Sequence, residues 1–381
     1  MKSAAPTILL SAGEPSGDLH GSLLAAALKR LWPEARLFGL GGARMAAAGV
    51  ELLADLDRLA LMGFVEVVAR LPFYVRLLRR VQHELQTRPA DLVLPIDYPG
   101  FNLRLARRAH RAGVPVLYYI APQVWAWHAS RARDLARYVS RLALVLPFEQ
   151  RLFAAAGARA SFVGHPLLDL PPVGTTREDW CASLGLDPAR PVLALFPGSR
   201  RQEVVRHLPL FVEAAELAVR RHPGLQPVIA VSAAVAADVY DGAHARTAEP
   251  RELLSHARAA LVKSGTTTLE AALAGTPLVI AYRAQPLTYW LAKRLVRVPH
   301  IGLVNLVAGE RLAPEFLQDE ATPPALAAAL DAFLGPDGPA RRAVTDGLAR
   351  VRSALAPPAD GFASVADRVA HLAVELLHAR A

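Results

Sequence analysis

Short apolar runs alternate along the chain with longer stretches in which apolar positions recur three or four apart, and that alternation predicts strand then helix over most of its length. Thr7–Ala12, Leu37–Leu40, Asp91–Ile96, Val114–Ile120, Leu142–Leu146 and Ala160–Val163 read as strands, the first followed by a helix over Leu19–Leu31. Their runs are apolar without a polar face, as strands covered on both sides of a sheet are. The repetition from Thr7 to Val163 predicts a doubly wound parallel α/β sheet. Leu170-Pro171-Pro172-Val173-Gly174 interrupts it, as a linker does. A second alternation follows, with strands at Val192–Phe196, Pro227–Ser232, Ala260–Lys263 and Leu278–Tyr282 and helices at Glu203–Arg221 and Arg251–Ala257. The tail from Pro323 reads as alanine- and leucine-rich helices broken at Gly335–Pro339 and Pro357–Gly361. The expected division is a first domain over 1–168, a linker over 169–176, a second domain over 177–345, and helices over 346–381 returning to the first domain of the same chain or of a partner.

Candidate chemistry sits where strands hand over to helices. Gly13-Glu14-Pro15-Ser16-Gly17-Asp18 follows the first strand, and its small residues let a ligand approach the backbone, although no Gly-Lys-Ser/Thr ending makes it a Walker loop. Asp97 stands at the carboxyl end of the third strand, ahead of Tyr98-Pro99-Gly100-Phe101-Asn102. Ligands of open α/β sheets bind beyond the carboxyl ends of strands, so this carboxylate is placed for a general base, with a turn-forming Asp as the plainer reading. Pro122-Gln123-Val124-Trp125-Ala126-Trp127-His128 puts two indoles on a loop, either lining a pocket or plugging the sheet.

In the second half, Pro197-Gly198-Ser199-Arg200-Arg201 offers a glycine turn with two guanidiniums suited to a diphosphate. Val262-Lys263-Ser264-Gly265-Thr266-Thr267 offers a second small-residue turn, with free backbone N–H groups at a helix start. Glu270 one turn later suits the two hydroxyls of a ribose, or forms a capping box with Thr267. Asn305, after Ile301-Gly302-Leu303-Val304, offers an amide to a base or phosphate. Asp55-Leu56-Asp57 has the residues for a metal but no strand end in view, and reads as a solvated face.

Composition narrows the classes. At 381 residues with 53% hydrophobic and 20% charged residues, the chain is long enough for two packed cores and too apolar for disorder. Its net charge of +9 favours anionic partners, yet no zinc-finger, helix-turn-helix or RNA-recognition signature accompanies it, so nucleic acid is not expected. No apolar run is long enough to span a bilayer, the first residues are too short for a signal peptide, and one cysteine permits no disulfide framework, so a cytoplasmic protein is expected. The Met62–Gln86 stretch places Leu77, Leu78, Val81 and Leu85 on one helix face and Arg76, Arg79, Arg80 and His83 on the other. It is either a core-facing helix or one lying on anionic lipid; Pro286–Val298 is a second candidate of that kind.

Two Rossmann-like halves with these turns resemble the GT-B glycosyltransferases, two such domains facing across a cleft. The ordered set of the 13–18 turn, Gly41-Gly42 with Met45 and Gly49, Met62-Gly63-Phe64, the 97–102 turn, Gln123-Val124-Trp125-Ala126-Trp127, Gly164-His165-Pro166, Pro197-Gly198-Ser199-Arg200 and Ser264-Gly265-Thr266 with Glu270 resembles the lipid-A-disaccharide synthase family. The resemblance implies an inverting transfer from UDP-2,3-diacylglucosamine to the 6-hydroxyl of 2,3-diacylglucosamine 1-phosphate (lipid X), without a metal or other cofactor. It implies Asp97 as base, with Ser199, Arg200, Gly265, Thr266, Glu270 and Asn305 at the nucleotide. Glu14, Ser16, Asp18, Asn102, Gln123 and Trp125 become candidates for the acceptor or sugar. It also implies peripheral contact with the anionic inner face of the cytoplasmic membrane, and leaves a homodimer open. Ala121, His128 and Val304 depart from the family's usual Ser, Arg and Pro. Another UDP-sugar enzyme of the same architecture, or a silent nucleotide-sugar-binding protein, remains an alternative.

Overall fold

The computed structural model describes residues 5–55, 71–124, 129–242, 244–285, 289 and 298–379. Met62-Gly63-Phe64, Asp57, Trp125, Trp127, His128 and nearly all of the Pro286–Val298 stretch lie outside the described residues. The chain forms two units, residues 1–170 with 356–381, and residues 171–355.

Unit 1 contains β1 Thr7–Ser11, α1 Pro15–Leu31, β2 Arg36–Gly41, α2 Ala43–Ala47, β3 Val50–Asp55, α3 Leu71–Thr87, β4 Leu92–Pro95, α4 Pro99–Arg111, β5 Leu117–Tyr119, α5 Ala129–Tyr138, β6 Arg141–Leu144, α6 Glu149–Ala155 and β7 Ala160–Phe162. The strands run parallel in the orders β3-β2-β1-β4 and β5-β6-β7, and bridges Val93–Val116 and Ile96–Tyr119 link the two sets. The direction of travel reverses between β1 and β4, which makes that the topological switch point. Leu9, Val93, Tyr118, Phe101, Leu105 and Leu135 share one buried core under α3, α4 and α5.

Unit 2 contains α7 Arg177–Ser183, β8 Val192–Phe196, α8 Arg201–Arg221, β9 Gln226–Ala230, β10 Ala245–Thr247, α9 Pro250–His256, β11 Ala259–Lys263, α10 Thr267–Ala274, β12 Leu278–Tyr282, α11 Leu303–Ala308, β13 Glu315–Leu317, α12 Pro323–Leu334 and α13 Pro339–Leu355. Its parallel sheet has the order β10-β9-β8-β11-β12-β13, so its switch point falls between β8 and β11.

Several boundaries differ from the sequence reading. The first helix begins at Pro15, not Leu19, because proline needs no N–H partner in a first turn. β3 ends at Asp55, so a strand end does stand at the first aspartate of Asp55-Leu56-Asp57; with Glu51 exposed and Leu53 buried it is a half-covered edge strand, which has no continuous apolar run. β10 Ala245–Thr247 and β13 Glu315–Leu317 are three-residue edges in which Arg246 and Glu315 break any apolar run. The boundary expected at 345 falls inside α13, which belongs to unit 2; the break comes beyond Leu355, at Pro357 and Pro358. The last helix, α14 Val365–His378, packs on α1, and Asp169 caps it by accepting the Val365 and Ala366 N–H groups at 2.8 Å each.

Unit 1 also holds two buried imidazoles. Burial lowers His20 to about 4, and burial with the neighbouring His20 lowers His165 to about 3. Both native values lie below the unfolded 6.5, so the unfolded chain binds these protons first as pH falls. Their contribution to stability is intact above pH ~6.5 and lost on acidification, at about 2 kcal/mol per histidine by pH ~5. In urea unfolding followed from pH 7.5 to 5, this pair is expected to contribute about two of the protons taken up, and a profile left unchanged when both are replaced by Gln would contradict the burial.

Candidate functional site

At the unit 1 switch point, Asp97 and Tyr98 follow β4 with φ of 46° and 50°, and Ile120 follows β5 with φ of 59°. These are three of the four non-glycine residues in the left-handed region among the described residues. Such a conformation costs energy for side-chain-bearing residues, most of all for a β-branched one, and persists where surroundings over-determine it. The restraint here is visible. Asn102, fully buried in α4, directs Nδ2 at the carbonyls of Asp97 (2.8 Å), Ser11 (3.0 Å) and Ile96 (3.2 Å), and its Oδ1 accepts the Ser11 hydroxyl at 2.6 Å. The Tyr118 hydroxyl donates to the Asp97 carbonyl at 2.7 Å, and the Asp97 N–H donates to Tyr119 O at 3.0 Å. The half-buried Asp97 carboxylate is therefore carried on a backbone fixed from below.

The first turn closes on this one. A Cβ on Gly13 would lie 2.2 Å from the Tyr98 ring, so only glycine lets the two turns meet. Burial raises the Tyr98 hydroxyl's pKa, and Tyr74 and Glu14 add to the shift, which sets Glu14 beside the same turn. Ser16, in the first turn of α1, and Gln123, beyond β5, are exposed.

Two of the acceptor candidates turn inward. Asp18 is 6% exposed and accepts the N–H groups of Gly42, Arg44 and Met45 at 2.8, 3.1 and 3.0 Å, capping α2. Asn102 is spent on the backbone as described. Both build the site without facing a ligand.

At the unit 2 switch point, Ser199 and Arg200 stand exposed at the N-terminus of the 21-residue α8, and half-buried Gly265 and exposed Thr266 at that of α10. Both helices turn their unpaired N–H groups and the positive ends of their dipoles toward the strand ends, as an anion requires. The second turn is stitched in place by the Ser264 hydroxyl donating to Ile301 O (2.7 Å) and the Thr268 hydroxyl donating to Gly265 O (2.8 Å). Glu270 is half-buried; burial raises its pKa, while Arg251 and the Thr267 hydroxyl pull it back. Asn305 is fully buried in α11. It donates to Ala313 O and Glu315 Oε1 and accepts the Ala313 N–H, all at 2.8 Å, so it shapes the 301–305 segment from inside and presents no amide to a ligand.

Lys263 and Glu203 received no role from the sequence, where they read only as part of a strand and turn and as a helix start. They meet at 2.9 Å, and Glu203 also accepts the Ser199 N–H at 3.1 Å. The matching arginine-lined depression at the amino ends of β8 and β11, about 760 Å³, is a different case. Arg177 donates there to the carbonyls of Pro188, Arg190 and His256, and Arg341 to those of Arg258 and Phe333, so these guanidiniums satisfy chain ends.

Two Rossmann-type units in series, each with its glycine turns at the switch point, define the GT-B class of glycosyltransferase. Solved members share the fold: the calicheamicin glycosyltransferase CalG4 matches at a TM-score of 0.63 and 18% identity over 99% of each chain. Medicago truncatula UGT71G1, solved with UDP-glucose, matches at 0.62 and 12% over 98% of each. Sequence comparison is more specific. The family model described as lipid-A-disaccharide synthetase matches residues 8–341. The lipid-A-disaccharide synthase of Geobacter metallireducens is 44% identical over 97% of each chain, and that of Acidobacterium capsulatum 40% identical over all of this chain and 98% of its own. The chain belongs to the lipid-A-disaccharide synthase family and is a hexosyltransferase.

Proposed function

We propose that the protein transfers the 2,3-diacylglucosamine unit of UDP-2,3-diacylglucosamine to the 6-hydroxyl of 2,3-diacylglucosamine 1-phosphate. The 6-oxygen attacks the donor's anomeric carbon, the bond from that carbon to the diphosphate breaks with inversion, its electron pair leaves with UDP, and Asp97 takes the hydroxyl proton. Ser199, Arg200 and the turn at Gly265 and Thr266 take the diphosphate as its charge grows, and Glu270 takes the ribose. Glu14, Ser16 and Gln123 are the candidates for the acceptor. The observation that carries this reading is the Asp97 carboxylate at a strand end and switch point, on a left-handed turn held by Asn102 and Tyr118.

UDP release by the purified protein in detergent micelles, with chelator present, tests it. Release that requires lipid X and yields a disaccharide phosphate is expected. Turnover of unacylated UDP-N-acetylglucosamine instead would move the protein to a sister enzyme, and UDP binding without turnover would make it a silent binder.

The same reading includes peripheral binding to an anionic bilayer, for which unit 1 offers a face. α3, α4 and α5 lie side by side and carry three, four and three arginines against two carboxylates, Glu84 and Asp134, in a chain whose whole net charge is +9. Nine of the ten are exposed. The tenth, Arg108, has its pKa lowered by burial and by Arg111, Arg104 and Arg79, a mark of their crowding. Each arginine near an anionic surface is worth roughly a fivefold gain in binding. Changing Arg79, Arg104 and Arg111 together to Gln is expected to weaken binding to phosphatidylglycerol vesicles about a hundredfold, with turnover in micelles unchanged. Equal sedimentation of wild type and variant with such vesicles, or of wild type with neutral ones, would refute the face.

A further inference from the structure

One carboxylate ties together the two glycine turns of unit 2. Glu203, in the first turn of α8, accepts the Ser199 N–H on Oε2 and the Lys263 ammonium on Oε1, and Lys263 is the last residue of β11. The pair therefore spans the switch point from the β8 turn to the β11 turn. Its side chains are 20% and 17% exposed, so both charges are largely withdrawn from water. The Lys263 Nζ lies 5.7 Å from the centre of the Tyr282 ring and 3.7 Å from where a Cβ on Gly265 would stand. It is thus beside the backbone that forms the second half of the cradle.

Lys263 and Arg200 are the cations that act on Glu203 in this cluster. His207 donates from Nδ1 to Glu203 O at 2.8 Å and accepts the Arg283 N–H on Nε2 at 2.9 Å, a neutral tautomer with both nitrogens occupied. Burial alone would raise the Glu203 pKa, yet Lys263, the Ser199 N–H and Arg200 bring it below the usual carboxylate range. A bare carboxylate at the mouth of an anion site would repel a diphosphate. Paired with an ammonium it does not, and the ammonium keeps two further donors for an incoming oxygen.

A largely buried ion pair adds little stability against an apolar pair of the same volume, so its placement here calls for another role. We propose that Lys263 contacts the diphosphate of the donor and of released UDP, and that Glu203 is a positioning residue holding both that ammonium and the Ser199 N–H at the cradle. The contact strengthens as negative charge builds on the leaving group, so it favours bond breaking over ground-state binding. The inference rests on the UDP-donor reading above.

Its test is the binding of UDP and of UMP to the purified full-length protein by calorimetry, for wild type, Lys263→Met, Lys263→Arg and Glu203→Gln, beside kcat in micelles. Loss of one hydrogen bond to a charged group corresponds to about a 10- to 100-fold loss. Lys263→Met is expected to weaken UDP by that factor and UMP far less, since UMP lacks the second phosphate, and to lower kcat as well. Lys263→Arg is expected to recover most of the UDP affinity, and Glu203→Gln to fall between the two. UDP affinity unchanged in Lys263→Met, or UDP and UMP weakened equally, would overturn the proposal. Wild type that binds no UDP would instead refute the donor reading on which it rests.

Discussion

Asp97→Asn is expected to lower kcat by about 10²–10⁴-fold, the usual contribution of a general base, while UDP affinity and thermal stability hold. The substitution removes the proton acceptor at constant shape. It also suits the backbone, because Asn is among the residues most tolerant of the left-handed region that Asp97 occupies with φ of 46°. The Asp97 carbonyl accepts from Asn102 Nδ2 and the Tyr118 hydroxyl, and its N–H donates to Tyr119 O, bonds that the substitution leaves in place. A loss of activity at an unchanged melting point is therefore assignable to chemistry. Steady-state rates with lipid X, beside calorimetric UDP binding and a melting curve, check all three parts. A variant with kcat within a few-fold of wild type would remove Asp97 from the base role, and one with a lowered melting point would show that the carboxylate holds the fold.

Gly39→Ala carries the largest expected effect on stability. Gly39 pairs with Leu10 in the parallel register of β1 and β2, with φ of 147°, and a Cβ there would stand 1.8 Å from the Leu10 carbonyl oxygen. Both atoms belong to the centre of the unit 1 sheet, where no flexible side chain moves aside, and the residue after Gly39 is where the β2–β3 register shifts. The expected loss exceeds about 4 kcal/mol, in the range reserved for backbone strain and core disruption. That corresponds to a melting point lowered by about 10 °C or more, or to insoluble protein. Gly174→Ala is the control: nothing lies within 4 Å of its Cβ, and a shift of a few tenths of a kcal/mol is expected. Soluble Gly39→Ala protein melting with the control would mean that β1 and β2 separate more readily than this register allows.

Much of the architecture was legible before any coordinates. The continuous apolar runs at Ile8–Leu10, Leu92–Leu94, Val192–Phe196 and Leu278–Ala281 are buried strands, because a strand covered on both faces has no polar positions to hide its signal. The turns at Gly13, Asp97, Ser199 and Gly265 were visible for a related reason, as small or proline-rich stretches directly after such runs. The amphipathic stripe of α3 was equally plain, with Leu77, Leu78, Val81 and Leu85 buried and Arg76, Arg79, Arg80 and His83 exposed. The edge strands β3, β10 and β13 were not, since Glu51, Arg246 and Glu315 break the apolar run in each.

The polar residues divide more sharply. Asp18, Asn102 and Asn305 stand within motifs and have the donors and acceptors of ligand contacts, yet each is buried and bonded to the protein's own backbone. Glu203 and Lys263, 60 residues apart and given no role from the sequence, meet across a switch point. The sequence by itself determined the two parallel sheets, the order of their turns, the residue at each strand end and the family, because these follow from local period and from motifs in linear order. The tertiary structure alone decided which side chains face outward, which pay for buried backbone, and which distant charges share a site, because burial and pairing depend on what the rest of the chain places within a few ångströms.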